Sequence, residues 1–294
     1  MPRFAPITRA ALFLLLALPA GPAKAADPQP YDVNLAGSGS GEIDAALRAS
    51  SQLVALKDKV PVPPFALVQR AQTDIARLQT VLDSFGYYLN GVTIKIAGRD
   101  LDDPELPQIL DDAPAQPPAV IAIAVERGPL FHIGTIAFDG AVPEADRAAV
   151  RIRSGDPAAA NPVLDAQADL LAALQEDGYA LATVEAPIAI ADNEKHTVNL
   201  SYRVVTGPRV TIGRIVFSGL KDVNAAFVRR ALDVKRGDRY RPSRIEAARQ
   251  RMAALGVFSG VSVRAGTKLD SDGTIPLTFD VQERPRHAVT LSGT

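Results

Sequence analysis

The sequence predicts an α+β chain of three tandem modules. Each runs strand, helix, helix, strand, strand, and folds as a three-stranded mixed sheet with two helices on one face. Three observations predict this. First, the segment Gly128–Gly140 (GPLFHIGTIAFDG) recurs as Gly207–Gly219 (GPRVTIGRIVFSG), with seven of thirteen positions identical at a separation of 79 residues. Second, each copy follows a period-two strand, Ala119–Val125 and Val198–Val205, and a third such strand, Pro276–Val281, runs into Glu283-Arg284-Pro285. Third, the stretches between carry apolar residues at helical spacing. A fixed period of this size marks supersecondary units stacked in series.

Composition bounds the class. The 294 residues are 47% hydrophobic and 22% charged, with mean hydropathy +0.06, which excludes a disordered or acidic tail. Cysteine is absent, so disulfides, zinc–thiolate sites, iron–sulfur clusters and thiol catalysis are excluded. Aromatics make up only 5% and Trp is missing, which argues against one large pocket-centred core.

In chain order, Arg3 and Arg9 precede the apolar run Ala10–Ala20, which is followed by Ala23-Lys24-Ala25. This is the form of an export signal over residues 1–25, with Asp27 near the mature start; the run breaks at Pro19 and Pro22, too short to span a bilayer. Module one (27–128) opens with the strand Tyr31–Leu35. Helices Ile43–Leu56 and Phe65–Phe85 follow, then the strand Val92–Ala97 after Gly86-Tyr87-Tyr88 and an acidic, Pro-containing loop Gly98–Pro118. Module two (129–207) reads as strand Ile133–Phe138, a helix around Glu144–Arg153, helix Val163–Glu176, strand Val184–Ile190, a turn at Ala191–Lys195, and strand Val198–Val205. Module three (208–285) reads as strand Thr211–Phe217, helix Asn224–Leu232, and a second helix through Leu255 capped by Ser243 and stopped by Gly256. Strand Val261–Ala265, a hairpin turn at Asp270–Gly273 and strand Ile275–Val281 complete it. Residues 286–294 alternate again.

Several segments resemble the polypeptide-transport-associated (POTRA) domains. Leu255-Gly256-Val257-Phe258-Ser259-Gly260-Val261-Ser262-Val263 is similar to their helix end and second strand. Ile212-Gly213-Arg214-Ile215-Val216-Phe217-Ser218-Gly219 is similar to their first strand and turn, and Gly237-Asp238 to the pair between their helices. Gly178-Tyr179-Ala180 departs, lacking the aromatic that Phe258 supplies, and the first strand of module one departs more. The helix pair of module one resembles the first module of TamA-type translocation and assembly proteins. The resemblance covers about residues 27–285.

The resemblance implies a periplasmic arm of an outer-membrane factor that helps insert autotransporters or other β-barrel proteins. The implied partners are unfolded outer-membrane clients, the protein's own C-terminal barrel, and a TamB-type inner-membrane-anchored protein. Residues 286–294 are then the start of a first barrel strand, and the chain is read as truncated before the barrel. Alternatives are the arm of a two-partner secretion transporter, or a free periplasmic adaptor without a barrel; three modules argue against the core assembly factor, which usually has five. By the same resemblance the second strand of each module is an exposed edge that takes up an extended segment by strand addition. The candidate residues are Val92, Ile94 and Ile96; Val184, Ala186 and Ile188; and Val261, Ser262, Val263 and Arg264.

Charge is uneven: net −6 over residues 27–127, −6 over 128–208 and +8 over 209–294. Arg229, Arg230, Lys235, Arg236, Arg239, Arg241 and Arg244, with Arg249 and Arg251 behind them, form a candidate basic patch for anionic headgroups. Nucleic acid is not an expected partner, because an exported chain does not meet it. Catalytic readings find no support. His132, His196 and His287 fall on a strand, in a hairpin turn and on the terminal strand without metal-ligand spacing, and no G-x-S-x-G elbow occurs. Gly37-Ser38-Gly39-Ser40-Gly41 lacks the phosphate-loop Lys. Asp100, Asp102, Asp103, Glu105, Asp111 and Asp112 lack EF-hand spacing. The expectation is a binding scaffold that is not an enzyme and holds no cofactor or metal.

Overall fold

The computed structural model describes residues 28–60, 62–114 and 116–285. The export signal and the terminal strand at 286–294, with His287, lie outside the described residues. The chain folds as two compact units, one of residues 28–36, 48–76 and 93–124, the other of 37–47, 77–92 and 125–285.

The elements of module one are β1 (Tyr31–Leu35), α1 (Gly41–Ser50), α2 (Gln52–Ala55), α3 (Pro64–Ser84), β2 (Gly91–Ile96), β3 (Arg99–Asp100), α4 (Leu106–Asp112) and β4 (Ala119–Glu126). Its sheet has the order β1-β4-β2-β3, with β1 parallel to β4. The helix expected over Ile43–Leu56 is interrupted at Ser51, whose backbone is extended (φ −71°, ψ 123°). The reason is a buried carboxylate. Asp74 is fully enclosed and accepts the Ser51 hydroxyl at 2.7 Å and the N–H groups of Gln52 and Leu53 at 2.9 Å. A buried charge needs such donors, and a helix start supplies them.

The acidic stretch 98–118 is also more ordered than a loop. It holds β3 and α4, and α4 buries Leu106 and Leu110, one turn apart on the same face. Pro107 is tolerated in the first turn, where its missing N–H has no intrahelical role.

Module two comprises β5 (His132–Asp139), α5 (Glu144–Arg147), α6 (Ala160–Glu176), β6 (Thr183–Val184), β7 (Ile188–Asp192) and β8 (Thr197–Val205). Module three comprises β9 (Ile212–Ser218), α7 (Ala225–Ala231), α8 (Pro242–Ala254), β10 (Phe258–Ala265) and β11 (Ile275–Glu283). In both sheets the last strand is central. It runs parallel to the first strand and antiparallel to the second. The helix pair is the crossover that a parallel neighbour requires.

The repeated glycine after each first strand has a steric cause. A Cβ on Gly140 or Gly219 would lie 2.1 Å from the carbonyl oxygen of Val204 or Val281, and φ is +135° and +89°. No other residue fits. The core of module two gathers Phe131, Leu170, Leu174, Leu200 and Tyr202, and that of module three Ile245, Met252, Ile275 and Phe279.

Three further expectations for local structure change in modules two and three. The helix around Glu144–Arg153 is one turn, 144–147. The strand Val184–Ile190 is split into β6 and β7 by Glu185-Ala186-Pro187, because Pro187 has no N–H for the ladder. Ser243 does not cap α8: the cap position is Arg241, and Ser243 lies inside the first turn.

Candidate functional site

Among the described residues the second strands of modules two and three are sheet edges, whereas β2 of module one lies between β4 and β3. In module three, β10 pairs among the described residues with β11 alone, with Val261 opposite Val281, Ser262 opposite Asp280, Val263 opposite Phe279 and Arg264 opposite Thr278. Val261 and Val263 are half-buried against the core. Ser262 and Arg264 are exposed, and Arg264 pairs with Asp280 at 2.9 Å. In module two, Val184 is buried opposite Val204, Ala186 lies exposed in the break, and Ile188 is 57% exposed opposite Ser201. Ile190 is exposed on the same side as Ile188, so β7 presents an apolar pair to solvent. In module one, Val92, Ile94 and Ile96 all point into protein and are buried. The far side of β2 is open only in part, because β3 pairs with it at Lys95 and Ile96.

The open edges of modules two and three share a device that sequence reading missed. The carbonyl of Val184 accepts a hydrogen bond from the Gln167 side chain of α6 at 2.8 Å. The carbonyl of Val261 accepts one from Arg249 of α8 at 3.3 Å, and Glu246 holds the same guanidinium at 2.6 and 2.8 Å. Val184 and Val261 are equivalent in the repeat. Gln167 stands eleven residues before Gly178, and Arg249 seven before Gly256. Those offsets differ by about one helical turn, so both side chains leave their helices on the same face. In each case the second helix covers an acceptor that an added strand would use.

Three consecutive residues at the end of α6 make the junction with module three. Glu176 accepts the Ser243 hydroxyl at 2.5 Å and the Ser243 N–H at 3.1 Å, so a carboxylate of module two caps the N-terminus of α8. Asp177 takes Arg239 at 2.8 Å and also pairs with Arg209. The Gly178 carbonyl accepts the Val210 N–H at 2.9 Å. Arg209 lies over the Tyr179 ring, 5.1 Å from its centre. The backbone part of this joint recurs upstream, where the Gly86 carbonyl accepts the Phe131 N–H at 2.9 Å and Arg127 lies over Tyr87. The carboxylates do not recur, since Ser84 and Phe85 occupy their places. Asp146 is buried beside the ion pairs with one oxygen lacking a hydrogen-bond partner. Its carboxyl is pushed up from the ordinary value by burial and then by Asp177, against the opposing pull of Arg209 and Arg239.

The basic residues of module three do not form one surface. Arg239 belongs to the junction; Arg236 pairs with Asp272 at 2.8 Å, and Arg244 reaches the Asp233 carbonyl at 3.1 Å. Arg249 pairs with Glu246 and Arg251 with Asp233. Arg229, Arg230, Lys235 and Arg241 are exposed without a carboxylate partner among the described residues. Arg229 and Arg230 sit on α7, whereas Lys235 and Arg241 follow it toward module two. Among the described residues no cluster of three or more His, Asp or Glu could hold a metal ion, and no helix is long and apolar enough to cross a membrane.

Comparison with known proteins agrees with this architecture. A POTRA family model, described as "Surface antigen variable number repeat", matches residues 210–284. The chain is 28% identical over 178 residues to an outer membrane protein assembly factor BamA of Neorickettsia risticii, covering 59% of this chain and 24% of that protein. It is 23% identical over 149 residues to the BamA of Nitratidesulfovibrio vulgaris, covering 48% of this chain and 19% of that one. The chain thus spans about a quarter or less of the length of these curated relatives. The crystal structure of Haemophilus influenzae BamA POTRA3-5 superimposes with a TM-score of 0.51 at 17% identity, covering 87% of this chain and 96% of that one. Residues 210–284 match a POTRA domain, and the three modules in series share the fold of the POTRA3-5 array.

Proposed function

We propose that the chain is the periplasmic arm of an outer-membrane protein assembly or secretion factor, divided into modules at 27–128, 129–207 and 208–285. The observation that carries this reading is the sheet edge of module three. Among the described residues, strand β10 has a single neighbour, in an array similar in fold to POTRA3-5 of a BamA. Such an edge binds extended segments through main-chain hydrogen bonds and asks little of their sequence, which suits unfolded outer-membrane clients. Val261–Arg264 in module three and Val184 and Ile188 in module two supply the candidate contacts, with Val92–Ile96 more restricted.

Within this reading the TamA-like form assists autotransporter insertion and meets a TamB-type inner-membrane-anchored partner through module one. A BamA-type assembly factor is the second reading, favoured because both curated relatives carry that name.

Cell fractionation of the full-length gene product tests the proposal. An outer-membrane band whose migration shifts on heating is expected, since a folded β-barrel resists detergent until heated. A soluble periplasmic product without that shift overturns the arm and leaves a free adaptor.

A further inference from the structure

We infer that the end of module three from which β11 leaves is a surface for anionic lipid, with Phe227 as the inserted side chain and Lys221 and Arg230 as headgroup partners. The inference rests on the arm reading for its biological setting, but its geometry is independent.

Glu283, the last residue of β11, accepts the backbone N–H groups of Lys221, Asp222 and Val223 at 2.8 to 3.2 Å. That ties the loop before α7 to the point where the chain leaves the sheet. Asn224 then caps α7 by accepting the Ala226 N–H at 2.8 Å. Helix α7 therefore starts at this end, and its seven residues extend about 10 Å from it.

One side of α7 is committed to the fold, because Val228 is fully buried. At about 100° per residue, Ala226 and Arg230 point away from Val228, with Phe227 and Arg229 to either side. Phe227 is 44% exposed although it is a large aromatic. Arg229 has a structural task, since its guanidinium lies over Phe217 at 5.9 Å, as Arg147 lies over Phe138 at 5.7 Å in module two. Phe227 and Arg230 have no such counterpart. The equivalent helix α5 reads Glu144-Ala145-Asp146-Arg147, with two acids and no aromatic. The fold thus does not require a basic, aromatic first helix.

An exposed aromatic followed by Arg229 and Arg230, with Lys221 beside Asp222 in the loop ahead of the helix, combines the apolar and cationic contacts that hold a segment at an anionic interface. Charge complementarity selects an anionic membrane surface, and the exposed Phe favours a bilayer, which has an apolar interior to receive it, over an acidic protein.

The test is co-sedimentation of the purified full chain with phosphatidylcholine vesicles, with and without phosphatidylglycerol. Binding is expected only with the anionic lipid and should fall as salt rises. Lys221→Ser and Arg230→Ser should each weaken it about fivefold, and Phe227→Ser about tenfold with little change in salt dependence. Arg236→Ser, at an ion-paired site elsewhere in the module, should change binding less than Arg230→Ser. Thermal melts of each variant separate loss of binding from loss of folding. Equal binding by wild type and the folded Phe227→Ser and Arg230→Ser variants overturns the surface, as does equal binding to both vesicle types or to neither. Vesicle binding and fractionation are separate readouts, so loss of the lipid surface leaves the arm standing, and a soluble gene product overturns the arm without touching vesicle binding.

Discussion

Asp177→Asn should loosen the junction between modules two and three without unfolding either. In the native junction one carboxylate, 28% exposed, holds Arg239 at 2.8 Å and also Arg209. The Asp177–Arg239 pair is part-buried, so its coupling lies near the upper end of the range for exposed ion pairs, about 1 kcal/mol. An asparagine keeps one acceptor and removes the charge.

The Val210 N–H donates to Gly178 at 2.9 Å and Val210 is buried, so exchange of that amide reports the opening of the joint. About 1 kcal/mol corresponds to a roughly fivefold rise in exchange rate. A double-mutant cycle with Arg239→Gln isolates the pair. At about 1 M salt, where the Debye length is about 3 Å, the difference between wild type and variant should shrink. The reasoning is refuted if Val210 exchanges no faster than in wild type, or if amides deep in sheet three, such as Phe279, speed up by the same factor. The second result would mean that module three had been destabilised globally.

Two further perturbations test the same structure. Asp146 has its carboxyl raised by burial, so the folded state holds the proton to higher pH than the unfolded state. Stability attributable to this group is greatest below the unfolded value and declines as pH rises through the folded one. Asp146→Asn should therefore stabilise the chain at neutral pH and lose that advantage in acid, as read by urea melts at both pH values; a destabilisation at neutral pH counts against this. On the edges, Gln167→Ala should free the Val184 carbonyl and tighten binding of an extended peptide of alternating apolar and polar residues about fivefold. Arg249→Ala should act in the same direction at Val261, and Val263→Pro should abolish binding at β10 in a folded protein. Titration by fluorescence anisotropy measures all three, and unchanged affinity for both alanine variants would remove the helix side chains from any gating role.

Much of the architecture is local and was therefore legible in the residues. Period-two alternation marks β8 and β11, helical spacing marks α6 and α8, and Gly140 and Gly219 repeat because a strand carbonyl leaves no room for a Cβ. The break in the second strand of module two was also visible in Pro187, but alternation across Val184–Ile190 outweighed it. Helix α4 was hidden because only Leu106 and Leu110 carry its apolar face among prolines and acids.

The candidate site depended on pairings between residues distant in sequence. Glu176 meets Ser243, and Asp177 meets Arg239, across more than sixty residues. A single sequence shows each of these as one more surface charge. The helix side chains that cover the Val184 and Val261 carbonyls are equally silent, since an ordinary Gln and Arg acquire that task only when helix and strand lie side by side.

Charge shows the division most plainly. Sequence alone determined that residues 209–294 carry a net +8. Only the tertiary structure decided that Arg236, Arg239 and Arg244 spend their charge within the protein, while Lys221, Phe227 and Arg230 stay exposed. The physical reason is that composition sums charges along the chain, whereas pairing and exposure depend on where the chain doubles back.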